Sequence, residues 1–181
     1  MSTPAPRRQL GSSDLSVSPV GFGCWPISGV SSLNVNDADS LATIHAAIDA
    51  GINFLDTAFS YGYTGESDLL LSQVLCTRRH EVVLASKVGS HYDSQRQRIV
   101  DGRPETLVAH AELALQRLGV DYIDIMYLHQ PDPQTDIEQS AAGIAEIVRR
   151  GWARYAGVSN VNAEQLQTFH NVCPVVVVQP P

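Results

Sequence analysis

Four side chains of different chemistry, Asp56, Tyr61, Lys87 and His129, each fall at or just after a short apolar run: Ile52–Leu55 before Asp56 and Tyr61, Val82–Ser86 before Lys87, Ile123–Leu128 before His129. Together they make a proton-transfer set. A phenol, with a reference value of about 10, is a weak acid at neutral pH, and an ammonium beside it stabilises the anion left when its proton departs. Lys87 supplies that ammonium for Tyr61. The Asp56 carboxylate would keep the lysine charged and in place, and His129 would hydrogen-bond the oxygen of a carbonyl lying near Tyr61. Singly these residues read more readily as a solvated lysine or a packed histidine; their joint placement carries the inference.

Short β-branched runs alternate along the chain with longer segments of helical period, the pattern of repeated βα units around a parallel sheet, so the class is α/β. A hairpin is predicted at Arg8–Leu10 and Leu15–Val17, followed by a first strand at Pro19–Gly23. Helices are predicted from Asp37 (capped by Asn36 or Asp37, stopped by Gly51), at Glu66–Val74, at Pro104–Leu118 between a proline at its start and Gly119 after its end, at Ile137–Arg150 and at Ala163–His170. The intervening strands are Asn53–Thr57, Val82–Lys87, Ile123–His129, Tyr155–Val158 and Val175–Val178. This counts about six βα units of an incomplete (β/α)8 TIM-barrel-type fold, whose closure takes eight. The four polar residues then sit at the strand ends where such barrels do their chemistry.

The 181 residues are expected to form a single domain, residues 1–181. A net charge of −7 gives no footprint for nucleic acid or for an anionic membrane. Cys24, Cys76 and Cys173 lie far apart with no paired spacing, which points to reduced thiols in a cytoplasmic protein, and no spacing argues for a metal. The opening Met1–Arg8 is polar and reads as carrying no targeting segment. Gly21-Phe-Gly23-Cys-Trp-Pro26 is not a dinucleotide fingerprint, because Pro26 stands where the third glycine belongs. His91 and Tyr92, after the third strand, read equally as substrate contacts or plain loop residues; His45, His80, His110 and His170 read as packing or solvent residues.

The segment Ile52-Asn-Phe-Leu-Asp56-Thr-Ala-Phe-Ser-Tyr61-Gly62 resembles the strand-two motif of the aldo-keto reductase family. Leu84-Ala-Ser-Lys87 is similar to its catalytic-lysine strand, and Leu118 to His129 to the segment ending in its histidine. The resemblance extends over essentially the whole chain. It implies a reductase that uses NADPH, with NADH as the alternative, to convert aldehydes or ketones to alcohols, with Asp56, Tyr61, Lys87 and His129 as catalytic tetrad. By the same resemblance Gly157-Val-Ser159-Asn160 holds the nicotinamide carboxamide, Gln179 is a further nicotinamide contact, and Gly23 and Trp25 line the nicotinamide or substrate pocket beside Asp56. Gln130-Pro-Asp-Pro resembles members acting on sugars or small aldehydes.

The family's strands seven and eight, with the residues that grip pyrophosphate and 2′-phosphate, have no counterpart in this sequence. Strand six would then be an exposed apolar edge, open to self-association. The alternative function is a non-catalytic binding or regulatory module, like the potassium-channel regulatory subunits of this fold, or an inactive fragment on the same scaffold.

Overall fold

Helix α1, Asp37–Asp49, starts where the Asn36 side chain accepts the Asp39 N–H at 2.9 Å, buries Ser40, Ile44 and Ile48 at four-residue spacing, and is released at Gly51 with φ +95°. The same logic repeats. In the computed structural model, which describes residues 6–32 and 34–181, the chain runs β1 (Arg8–Gln9), β2 (Ser16–Val17), β3 (Phe22–Gly23), α1, β4 (Phe54–Asp56), α2 (Glu66–Arg78), β5 (Val83–Val88), β6 (Ser90–Tyr92) and β7 (Arg98–Val100). It continues through α3 (Pro104–Leu118), β8 (Ile123–Leu128), α4 (Ile137–Arg149), β9 (Ala153–Ser159), α5 (Ala163–Val172) and β10 (Val175–Gln179). Met1–Ala5, most of the segment read as carrying no targeting signal, lies outside the described residues. No described helix is long and apolar enough to cross a membrane.

Six strands form one parallel sheet in the order β10-β9-β8-β5-β4-β3. Each successive strand of this sheet is added on the same side of the last, so the crossover helices all cover one face and the sheet curls into the incomplete (β/α)8-type barrel expected. Between sheet and helices lies a core that includes Ile44, Leu55, Leu71, Leu84, Leu107 and Phe169. The inner face carries a second cluster, Val83, Ala85, Ile125 and Tyr127, closed from below by Leu15 and Val17 of the β1–β2 hairpin. That hairpin is pinned by Arg154, which pairs with Asp14 at 2.8 Å and with the buried Asp124 at 3.2 Å.

The departures from the sequence reading are instructive. The first strand shrinks from Pro19–Gly23 to Phe22–Gly23, since Pro19 offers no N–H and the Ser18 hydroxyl donates to the Val20 carbonyl instead of leaving it for a ladder. Helix α2 runs past Val74 to Arg78, where the guanidinium pairs with Asp49 of α1 and with Glu81. The strand expected from Tyr155 begins at Ala153, because Ala153 pairs with Ile123 of β8. The loop expected after β5 is a hairpin, with Ser90, His91 and Tyr92 opposite Val100, Ile99 and Arg98. Its turn is built on Asp93, whose carboxylate accepts the N–H groups of Gln95 and Gln97, each at 2.8 Å.

Candidate active site

Parallel pairing brings the C-terminal ends of six strands to one rim. Gly23 lies opposite Asp56, Lys87 opposite Tyr127 two residues before His129, and Gln179 opposite Ser159. Beyond Asp56 the chain stays along β5: the N–H groups of Thr57 and Phe59 donate to the carbonyls of Ala85 and Lys87, each at 2.9 Å. This track carries Tyr61 back over the lysine. Gly62 then turns the chain at φ +113°, where an added Cβ would strike Glu66. Gly62→Ala is therefore expected to lower stability by about 1–3 kcal/mol, read by urea unfolding; unchanged stability would mean the turn is not the constraint that seats Tyr61.

The lysine is the centre of the site. Its side chain is 3% exposed, and Nζ donates to Asp56 Oδ1 and Oδ2 at 2.8 and 2.7 Å, to the Thr57 carbonyl at 3.1 Å and to Tyr61 Oη at 3.1 Å. An ammonium has three protons and no acceptor, so three neighbours use it completely. Tyr61 Oη accepts one of them, which leaves its own O–H free to point away from the lysine. Thr57 is held in turn from behind: its hydroxyl donates to Asp68 at 2.8 Å, and the Ser67 hydroxyl beside it donates to the Cys24 carbonyl at 3.2 Å. Asp68 is fully buried, and desolvation pushes its carboxyl up to about 7 against the Thr57 hydrogen bond and the charges of Arg117 and Lys87. Burial also pushes the neighbouring Cys24 thiol up.

Around the tyrosine ring stand Trp25, edge-on with centroids 5.2 Å apart, and His129 at 6.2 Å. His129 is 9% exposed; burial first, then the charges of Lys87 and Arg98, hold its imidazole down to about 3. It is neutral throughout the working range. Its Nδ1 is 3.5 Å from the Ser60 hydroxyl and its Nε2 3.5 Å from Arg98 Nη2, while its carbonyl accepts the Asn160 side-chain N–H at 2.9 Å. Asn160 adopts φ +59° and also donates to Ser159 Oγ at 3.0 Å. Gln179 Nε2 reaches Asp56 Oδ2 at 3.4 Å, and its Oε1 is buried with no partner. An added Cβ at Gly23 would meet nothing within 4 Å, and Gly23, Asp56 and Gln179 border a cavity of about 500 Å3.

The tetrad residues thus converge. Ser159, Asn160 and Gln179 form a second group at the same rim, with Gly23 and Trp25 flanking it. The orphaned Gln179 acceptor and the open space at Gly23 fit a planar carboxamide such as that of nicotinamide. His91 is not a plain loop residue: it lies in β6 and packs edge-on against His110 at 5.1 Å, while Tyr92 packs against Tyr63 at 5.0 Å. Sequence reasoning missed Thr57, Asp68 and Arg98. The first ends the expected strand Asn53–Thr57, and the second lies within the expected helix Glu66–Val74 with no pattern to mark it as buried. Arg98 was legible only through the strand pattern Ser-His-Tyr and Arg-Ile-Val around the polar turn Asp93–Gln97.

The buried ionisable groups set a pH dependence. His110, held down to about 4 chiefly by burial, and His129 titrate below the unfolded value of about 6.5, so the stability they give is present above that pH and is lost as the pH falls towards 4. Asp68 acts oppositely: its raised carboxyl contributes most below about 3.8 and loses that contribution as the pH rises through about 7. Two groups against one leave a net loss of roughly 1.4 kcal/mol per pH unit on acidification between these limits. Asp68→Asn removes the offset and is expected to steepen the loss to about 2.8 kcal/mol per unit, read by urea unfolding at successive pH values. A slope unchanged by the substitution would refute the opposed titrations.

A curled parallel sheet wrapped on one face by helices, with a buried Lys–Asp–Tyr cluster and a histidine at its C-terminal rim, defines a barrel-type α/β protein with groups that could transfer a proton gathered at one site. The aldo/keto reductase family model matches residues 19–181, and the chain belongs to that family. It is 35% identical over 169 residues to the aldo-keto reductase YhdN of Bacillus subtilis, covering 92% of this chain and 50% of that protein. To an aldo-keto reductase of Strobilurus tenacellus it is 34% identical, covering 97% of this chain and 52% of the relative. Among solved structures it is similar to a glycerol dehydrogenase of Gluconobacter oxydans, with a TM-score of 0.88 and 34% identity over 97% of this chain and 54% of that one. A holo-form aldo-keto reductase of Bacillus halodurans superposes with a TM-score of 0.86 at 28% identity, covering 97% of this chain and 57% of that one. The chain spans about half the length of the relatives it matches.

Proposed function

We propose that residues 1–181 act as one domain carrying the proton-transfer half of a nicotinamide-dependent carbonyl reductase that converts a small aldehyde, ketone or sugar to its alcohol in the cytoplasm. The observation that carries the reading is the Lys87 ammonium, bound by Asp56 and donating to the Tyr61 oxygen at 3.1 Å. NADPH, the reductant the reading assigns, supplies hydride to the carbonyl carbon when bound. Ser159, Asn160 and Gln179 would hold its carboxamide, and Gly23 and Trp25 would line the nicotinamide or substrate pocket.

Tyr61 gives its proton to the carbonyl oxygen as negative charge develops there. Lys87 stabilises the phenolate that remains, and Asp56 keeps Lys87 charged although it is buried. The neutral His129 offers an N–H rather than a charge, orienting the carbonyl oxygen towards Tyr61 without competing as an acid. A non-catalytic module would have no use for a buried ammonium dedicated to a phenol, which is why the catalytic reading is preferred. At the open edge of the sheet, β10 is available to a second copy, and self-association is part of the proposal.

The test is a fluorescence titration of the 181-residue chain with NADPH, followed by aldehyde-dependent NADPH oxidation, with size-exclusion chromatography alongside. Saturable binding and turnover are expected; a soluble chain that neither binds nor turns over would overturn the reading for this chain.

A further inference from the structure

Arg98 stands apart from most of the described cations. Arg78, Arg79, Arg103, Arg149, Arg150 and Arg154 each have a carboxylate at ion-pair distance. Arg117 donates to the Phe59 carbonyl and covers its ring, and Arg96 stacks on Tyr63. Among the described residues Arg98 has no carboxylate partner. It is exposed on β7, and its Nη2 reaches only neutral groups, Gln130 Oε1 at 3.2 Å and His129 Nε2 at 3.5 Å. In a chain of net charge −7, an unneutralised guanidinium thus lies against His129, one of the two residues proposed to meet the substrate oxygen.

We infer that Arg98 is a specificity-determining residue that selects carbonyl substrates bearing a carboxylate directly beside the carbonyl, the 2-oxo acids. The inference rests on the carbonyl-reductase reading of the site and names its substrate class. A carbonyl oxygen placed between Tyr61 and His129 puts a neighbouring carboxylate within reach of a guanidinium already touching His129. The planar fork of arginine matches a carboxylate through two parallel hydrogen bonds. In the reduction, C2 of the acid gains the hydride, its oxygen gains the Tyr61 proton, and the carboxylate leaves unchanged on a 2-hydroxy acid.

The empty site adds a second consequence. A guanidinium has no acceptor, so its contact with His129 Nε2 favours the tautomer in which Nε2 is unprotonated and the ring proton sits on Nδ1 towards Ser60. A carboxylate that draws Arg98 away frees Nε2 to carry the proton and donate it to the carbonyl oxygen. Binding of the acid and a change of His129 tautomer are therefore coupled.

The experiment is a titration of the 15N-labelled 181-residue chain with pyruvate and, separately, with its neutral methyl ester, following the His129 ring nitrogens by NMR. Pyruvate is expected to shift them saturably with exchange of protonated and unprotonated nitrogen, and to bind at least about 10-fold more tightly than the ester. Arg98→Gln is expected to bring the preference for pyruvate over the ester to near unity, and Arg98→Lys to recover part of it while losing the two-pronged contact. Equal pyruvate affinity in Arg98→Gln and the natural chain would overturn the inference and show Arg98 to be a cover over His129. The two readings separate cleanly. Arginine-dependent pyruvate binding without NADPH oxidation keeps this inference and sinks the reductase reading. Reduction of the ester with pyruvate affinity indifferent to Arg98 does the reverse.

Discussion

Tyr61→Phe is expected to lower kcat/KM for carbonyl reduction by about 10^2–10^4-fold, the span a positioned general acid contributes, while leaving the Kd for NADPH unchanged. The separation follows from the contacts. Among the described residues the Tyr61 oxygen is engaged by Lys87 alone at 3.1 Å, whereas its ring is held by Trp25 and His129, and a phenylalanine keeps the ring. Only the proton that points away from the lysine is lost. Ser159, Asn160 and Gln179, proposed to hold the carboxamide, make no hydrogen bond to the phenol oxygen among the described residues. Turnover within a few-fold of the natural chain would remove Tyr61 from the role of acid.

Lys87→Met is expected to have two effects that can be told apart. It removes the ammonium that stabilises the phenolate, so reduction falls as severely as in Tyr61→Phe and the remaining activity moves to higher pH. It also leaves the Asp56 carboxylate, 15% exposed in its side chain, without its counter-charge, and breaking such a pair costs about 3–5 kcal/mol of stability. Adding Asp56→Asn to Lys87→Met is expected to restore much of the stability, read by urea unfolding, and none of the activity. A pH–rate profile for Lys87→Met that coincides with the natural one would refute the coupling between lysine and phenol.

What could be read without the fold was governed by local chemistry. Helix α3 was bounded at Pro104 and Leu118 from sequence because the proline that opens it and the glycine that follows it, with φ +65°, act within one turn. The capped start of α1 at Asn36 is equally local. Strand limits were less legible, since a strand ends where its partner does: Ala153 became part of β9 only because Ile123 lies opposite it. The β6–β7 hairpin escaped for the same reason. Its three-residue strands owe their order to Tyr92 against Tyr63 and His91 against His110, contacts made by residues far apart in the chain.

The site divides along the same line. The types and order of Asp56, Tyr61, Lys87 and His129 are properties of the sequence, because the proposed acid, its charge partner and its orienter depend on those functional groups whatever holds them. Their protonation and direction are not. Only packing decided that Lys87 would use all its protons on Asp56, Thr57 and Tyr61, that Asp68 would be a buried carboxyl behind Thr57, and that Arg98 would be carried by a hairpin onto the ring of His129. Burial and distance set these properties, and both depend on neighbours that the chain meets only once its parallel strands bring them to a common rim.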